Sequence, residues 1–310
     1  MMGLAYGLGV DSSAIIVGMV ARGIRPDFIL FADVGAEKDS TYAYLPIMQN
    51  YLAENNMPLV QVVRNMAPKS PYSTIEGNMA MNCTLPSPAL GGRHSCTVKW
   101  KIDPQNKWCN ANMDCVKAWA DHKQVTKVIG YEAGEEYRRN KAYNTFDPKY
   151  KYEHPLIDWG WDREECIARI AEAGLPVPEK SSCIFCPMMK EWEVRGLTPA
   201  ERGRVMRIEV YAEPYNTKVH GLWGKPRKRD GRPGSMTEFI LNEGLEWVWP
   251  DDEMPMNINC SKRKRGYSMK PPHIDTSLTD MLKIRTGFTV PEQSLMEVEH
   301  DSNELLLNLK

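Results

Sequence analysis

A chain of 310 residues has room for one large or two ordinary domains, and 42% hydrophobic with 25% charged residues excludes the disordered and fibrous classes. A formal net charge of -1 excludes a general attraction to nucleic acid or to an anionic membrane and leaves such binding to local patches. No uncharged apolar run reaches the roughly 18–20 residues of a membrane span, and the apolar N-terminal segment carries Asp11, glycines and no basic leader, so the expectation is a cytoplasmic chain with neither span nor signal peptide.

Gly3 to Tyr6 is short and apolar enough for a buried strand, and Ala14 to Arg22 is a helix-length run closed by Gly23. Between them lies Gly7-Leu8-Gly9-Val10-Asp11-Ser12-Ser13. A strand, a glycine turn and a helix that opens on hydroxyl residues gather free backbone N–H groups and the positive helix end at one point, where an anion can sit. Gly7 and Gly9 permit a tight turn and close approach of a ligand, Ser12 and Ser13 add hydroxyl donors, and Asp11 is expected to cap the helix. The spacing is neither a Walker A loop nor a G-x-G-x-x-G fingerprint; the competing reading is an ordinary turn of small residues.

Asp27 to Glu37 reads as a second buried strand, containing Phe31, Ala32 and Asp33 and ending in a polar, glycine-containing loop. Thr41 to Asn55 is a helix with Pro46 disturbing its first turns, and Leu59 to Val63 is a third strand. Strands alternating with helices at this spacing predict an α/β fold, a doubly wound, mostly parallel sheet with ligands at the carboxyl ends of its strands. Residues 67–93, rich in Pro, Ser, Asn and Gly, show no period and read as a long connection. Next, Cys96 stands close in sequence to Arg93, Lys99 and Lys101, whose charge favours a thiolate suited to metal ligation or sulfur chemistry; a merely buried cysteine is the alternative.

Val125 to Gly130 is a fourth strand, and Gly130 at its end permits close approach of a ligand. Arg138 and Arg139 follow; either guanidinium fork suits phosphate, and either suits a solvated surface pair. Asp162 to Gly174 is a helix with Asp162 and Glu165 in capping-box positions and Gly174 at its stop, and it places Cys166 on its apolar side, in the core or pointed at a site. Cys183-Ile184-Phe185-Cys186-Pro187 then offers two thiols that can converge on one metal. One such pair is half a site; Cys96, Cys166 and Cys83 are the candidates for the rest, in that order. Eight cysteines in a chain of this kind are expected to be free, ligating or reactive rather than paired. Cys109, Cys115 and Cys260 have no motif around them and read as structural. A redox-active pair is the competing reading of Cys183 and Cys186.

Thr198-Pro199-Ala200-Glu201 opens a further helix, expected to run to Glu213, with a cap, a proline at its first position and a glutamate closing the box. Lys225 to Arg232 and Lys262 to Arg265 are basic runs that can grip nucleic acid or remain solvated loops. Asp275 to Arg285 reads as a last helix, and the tail after Val298 is polar.

These segments, in order, resemble the PP-loop ATP pyrophosphatases. Gly9-Val10-Asp11-Ser12 is similar to the end of that family's S-G-G-x-D-S loop, with Gly7 where the family has Ser and Leu8 where it has Gly. Phe31 to Glu37 with Thr41-Tyr42-Ala43-Tyr44-Leu45, the Cys96 to Pro104 segment, the glutamate and arginine after Gly130, Pro155 to Trp159, and the Cys183 to Pro187 motif resemble the branch that contains the sulfonucleotide (PAPS/APS) reductases, including members from phages and mobile elements. The resemblance spans residues 3–195. It implies the adenine nucleotide alpha hydrolase type of Rossmann-like fold, with a nucleotide-binding domain over 1–160 and a mostly helical, cysteine-containing region over 161–310.

By the resemblance, Gly7 to Ser13 hold the phosphates of ATP with Mg²⁺, Phe31, Ala32 and Asp33 line the adenine and ribose mainly through main chain, and Gly130 borders the nucleotide. Asp11, Ser12, Lys99 and Arg139 are the implied catalytic set, and Cys96, Cys166, Cys183 and Cys186 the implied ligands of a 4Fe-4S iron–sulfur cluster, with zinc as the alternative. The function expected is adenylation of a substrate with release of pyrophosphate in the service of sulfur transfer, on a nucleobase or nucleic acid and with a sulfur-donor protein as partner. Sulfonucleotide reduction ranks second, because the C-terminal E-C-G-L-H segment of the reductases is missing. A non-catalytic, zinc-clamped nucleic-acid-binding protein ranks third.

Overall fold

Four short apolar segments and one polar one pair along a single sheet. In the computed structural model, which describes residues 1–66, 72–86, 96–142, 147–213 and 219–251, the strands are β1 (Met2–Tyr6), β2 (Phe28–Ala32), β3 (Val60–Val63), β4 (Val125–Val128) and β5 (Tyr150–Glu153). All neighbouring pairs are parallel, in the order β3-β2-β1-β4-β5. The expected α/β class is therefore present, with one strand more than the sequence pattern marked.

Every residue of β2 is buried, as a strand covered on both faces must be. Its alternation divides two cores. Ile29 and Phe31 join Leu4, Tyr6, Ile15, Ile16, Met48 and Leu156 on one face, while Phe28 and Leu30 meet Cys109, Cys115, Val125 and Tyr150 on the other. Cys109 and Cys115 are thus structural, as their lack of a motif suggested.

Eleven α-helices lie among the described residues: α1 (Val10–Ala21), α2 (Asp39–Glu54), α3 (Ile75–Asn82), α4 (Asp103–Ala111), α5 (Met113–Ala120), α6 (Glu136–Ala142), α7 (Pro155–Asp158), α8 (Arg163–Glu172), α9 (Glu191–Arg195), α10 (Pro199–Ala212) and α11 (Met236–Asn242). The punctuation of two of them is as the sequence predicts. Asp162 Oδ1 accepts the Glu165 N–H at 2.9 Å ahead of α8, and Thr198 with Glu201 forms a reciprocal capping box ahead of α10, with Pro199 first in the helix. Glu165, however, turns its carboxylate to Arg169 at 2.6 Å.

Two expectations change. The connection over 67–93 contains α3, whose start is capped by Thr74 Oγ1 accepting the Gly77 N–H at 3.0 Å. Its buried residues, Ile75, Met79, Ala80 and Met81, do not follow a single apolar stripe, so the helix has no clear period. Pro46 lies inside α2, which starts at Asp39. The Lys262 to Arg265 run, Cys260, the Asp275 to Arg285 helix, the tail after Val298 and Arg93 beside Cys96 lie outside the described residues. No helix among the described residues is long and apolar enough to cross a membrane.

Because β1 has β2 on one side and β4 on the other, the winding changes direction between β1 and β4. Chains of this topology open a crevice at the carboxyl edge there. α1 borders it, and its Gly18 packs against the turn after α7, where an added Cβ would run into the Trp159 ring. Gly18→Val gains helix propensity worth less than about 1 kcal/mol and incurs overpacking worth about 1–3 kcal/mol. Urea denaturation should therefore show a net loss of about 1–2 kcal/mol; an unchanged midpoint would remove Gly18 from the packing of α1.

Candidate active site

Three residues, Gly7 to Gly9, turn the chain from β1 into α1. Gly9 is the residue ahead of the helix, extended at φ -105° and ψ 175°, and no side chain caps the helix. The expected cap from Asp11 is thus absent: Asp11 already lies in the first turn, and its Oδ1 accepts from Arg163 at 2.6 Å. Without a capping side chain, the first N–H groups of α1 remain available to an outside acceptor.

Ser12 Oγ accepts the Gly7 N–H at 3.1 Å and donates to the Gly9 carbonyl at 3.2 Å, so this hydroxyl braces the turn. Ser13 is fully buried and its hydroxyl pairs with the Tyr6 hydroxyl at 3.1 Å, on the core side of the helix. Leu8, where the resembling family has glycine, holds the left-handed conformation at φ 56°. That backbone costs about 1–2 kcal/mol for a residue with a Cβ. Leu8 offsets it by burying its side chain in the core at 1% exposure, worth about 1.5–3 kcal/mol.

Gly130, at the end of β4, forms the facing wall. A Cβ there would lie 3.2 Å from the Ser12 amide nitrogen and 3.4 Å from Asp11 Cβ. A Cβ on Gly9 would lie 2.5 Å from Ser181 Oγ, so the segment before Cys183 crosses over the turn. It then reaches the loop after β2, where Glu37 and Cys183 form an isolated antiparallel bridge and the Ile184 N–H donates to the Ala36 carbonyl at 2.9 Å. Residues far apart in sequence are stitched together over one sheet edge.

The remaining candidates separate. Phe31 and Ala32 bury their side chains within β2. Asp33, 2% exposed, accepts from Arg64 Nη2 at 2.6 Å, the Tyr42 hydroxyl at 2.6 Å and the Gly35 N–H at 2.7 Å, so its carboxylate fastens the loop. Arg138 pairs with Glu135 at 2.7 Å, and Arg139 pairs with Glu136 at 2.7 Å and Asp158 at 3.2 Å. Both sit in surface pairs. Lys99 donates to Asn78 Oδ1 at 2.7 Å.

Residues Thr97–Ile102 wind as a π-helix, a rare form that is frequent at functional sites. The i→i+5 pattern continues at its end, where the Asp103 N–H donates to the Val98 carbonyl. Lys101 Nζ reaches Glu37 Oε1 at 2.9 Å. Burial acts against its charge, but the Glu37 carboxylate outweighs burial and holds the lysine above its ordinary value. Burial pushes the Cys183 thiol well up, and Glu37 adds to this; the Phe185 N–H and Lys101 act the other way. Burial also raises Cys186, opposed by the Met188 N–H and Lys101 and reinforced by Cys96 and Glu193. Cys96, Cys183 and Cys186 therefore share one electrostatic neighbourhood.

Cys166 does not join them. It is fully buried in the core with Ile170, and its thiol, pushed up to about 12 chiefly by burial, senses Asp11 and Arg163. Cys96, Cys166, Cys183 and Cys186 all carry free thiols. Among the described residues no three His, Cys, Asp or Glu side chains stand where they could hold a metal ion. The four-cysteine ligand set expected from sequence is therefore not assembled, because Cys166 belongs to the apolar side of α8.

The chain is similar to argininosuccinate synthases. It is 20% identical to that of Staphylococcus carnosus, over 98% of this chain and 70% of that enzyme. It is 21% identical to that of Limosilactobacillus reuteri and 22% to that of Lacticaseibacillus paracasei, over 56% and 60% of this chain. These two alignments take in 41% and 46% of the relatives' own length, so the chain spans less than half of each. No family model matches. The similarity supports the wider PP-loop ATP pyrophosphatase group and not its reductase-like branch.

Sequence reading missed Ser181, Arg163 and Asn78 as members of this edge. Arg163 left a signal: a cation in the first turn of a helix opposes the macrodipole and calls for an anionic partner, which Asp11 supplies. Gly9→Ala should cost about 1–2 kcal/mol by crowding Ser181, and Ser181→Gly in the same chain should recover most of it; additive losses in a double-mutant cycle would show that the two do not touch. Because burial keeps Cys183 protonated at neutral pH, its alkylation at pH 7.5 should run at least tenfold slower than that of free cysteine and climb as pH rises beyond 9, read by peptide mass spectrometry.

Proposed function

We propose that this chain is an ATP-using enzyme that adenylates an acceptor and releases pyrophosphate. The observation that carries the reading is the uncapped start of α1 with Gly9 and Gly130 on either side of it, at the point where the winding of the sheet reverses. The similarity to argininosuccinate synthases supports the same class.

In this reading the N–H groups of the first turn of α1 hold the β- and γ-phosphates, and the positive helix end favours their charge. Gly130 lets the nucleotide approach without a side chain in the way. Ser12 keeps the turn in shape, and Leu8 anchors it from below. Asp11, whose carboxylate accepts from Arg163 at 2.6 Å, would be the residue to hold Mg²⁺, a hard cation that takes one or two carboxylates together with phosphate oxygens; when bound, Mg²⁺ would neutralise charge on the phosphates. An acceptor oxygen forms a bond to the α-phosphorus as the bond to pyrophosphate breaks. The protein's part is positioning and charge stabilisation.

Sulfur transfer is the second reading, favoured by the free thiols of Cys183 and Cys186 on the segment that covers Gly9. The residues present do not form an iron–sulfur or zinc ligand set among the described residues, and no step is assigned to such a group. A sulfonucleotide in place of ATP remains the comparison ligand, and nucleic acid the comparison acceptor. Within Lys225 to Arg232, Arg227 is committed to Glu191 at 2.6 Å and to Asp230.

Calorimetry with ATP and Mg²⁺ should give saturable binding, stronger than that of PAPS under the same conditions. Gly130→Val should raise the ATP dissociation constant at least tenfold with an unchanged far-UV spectrum. No heat with ATP and Mg²⁺ would end the proposal.

A further inference from the structure

A cavity of about 260 Å³ lies beside the π-helix, separate from the turn between β1 and α1. Its lining is mainly apolar, with Met79, Leu85 and Trp100, and it is completed by Asn78, Lys99 and Cys96. At roughly 30 Å³ per water that volume equals about nine waters, room for a monocyclic compound but not for a nucleotide.

Lys99 sets the chemistry. Its ammonium donates to Asn78 Oδ1 at 2.7 Å and lies 4.9 Å from the Trp100 ring centroid and 5.2 Å from that of Tyr72. A neutral amide and two ring faces orient a cation without cancelling its charge. Among the described residues no carboxylate pairs with Lys99, whereas Lys101, two positions on, is matched to Glu37 at 2.9 Å. An apolar wall with one uncompensated ammonium favours a ligand that is itself divided: an apolar body with a single anionic oxygen group. A compact anion such as sulfate would satisfy the ammonium but leave the apolar wall uncovered.

We propose that this cavity binds a small carboxylate with an apolar, preferably aromatic, body. The carboxylate sits on Lys99 and Asn78, the body lies against Trp100, Met79 and Leu85, and Cys96 borders the bound ligand. Lys99, Trp100 and Cys96 all face this cavity from the π-helix or its start, while Lys101 is turned to Glu37.

The test uses the full chain without nucleotide, so its outcome is independent of the reading of α1. Saturation-transfer NMR and calorimetry would compare 3-phenylpropionate, 3-phenylpropionamide and sulfate. The acid should bind saturably and at least tenfold more tightly than the amide, and sulfate at equal concentration should not displace it. Lys99→Met should erase the tenfold preference, Lys99→Arg should retain it, and the bound acid should slow alkylation of Cys96 at least threefold. The comparison of acid with amide on the unaltered chain holds even where a variant misfolds. Equal binding of acid and amide, displacement by sulfate, a preference that survives Lys99→Met, or alkylation of Cys96 unaffected by the acid would each overturn the proposal.

Discussion

Gly9 presents no side chain to Ser181, and that vacancy lets a segment from the second half of the chain lie across the start of α1. The contact joins chemistry that the sequence keeps some 170 residues apart, the turn after β1 and the thiols of Cys183 and Cys186. Glu37 completes the crossing through its bridge with Cys183. A parallel sheet makes such a meeting possible because all its strands deliver their loops to one edge. The absence of a side chain at Gly9 decides how closely the two segments approach at the crossing.

Much of the fold was legible because its signals are local. β1, the glycine turn and α1 follow one another within the first 21 residues, β2 is an unbroken apolar run, and the valines of β3 and β4 mark those strands despite Gln61, Thr126 and Lys127. β5 escaped because Tyr150-Lys151-Tyr152-Glu153 lies at the sheet edge, where Lys151 and Glu153 pair in solvent and leave no apolar run to read. α3 escaped for the opposite reason: it is buried on more than one side, and Gly77 and two asparagines interrupt its pattern. The π-winding of Thr97–Ile102 has no sequence signature of its own, so the division of labour between Lys99 and Lys101 could not be foreseen.

The site was legible in part. Gly9, Ser12 and Gly130 meet as their residue types suggest, since small residues and hydroxyls at strand ends have few other reasons to occur together. Ser13 and Asp33 look alike in sequence to groups that face a ligand, yet one hydroxyl is spent on Tyr6 and one carboxylate on Arg64, Tyr42 and Gly35. Cys166 was ambiguous between core and site because a cysteine on an apolar helix face satisfies both descriptions. Packing resolves it: α8 presses that face onto α1, and the thiol is sealed in.

The position of the Cys183 and Cys186 thiols follows from apolar burial. Ile184 and Phe185, between Cys183 and Cys186, are both fully buried, and each contributes about 1.5–3 kcal/mol toward holding that turn in place. The Cys186 N–H donates to the Cys183 carbonyl at 3.0 Å, closing the turn from within. These contributions exceed the modest cost of desolvating two protonated thiols, which burial keeps neutral. The turn is thus placed by its own hydrophobic anchors, with Lys101 and Glu37 setting the field around it.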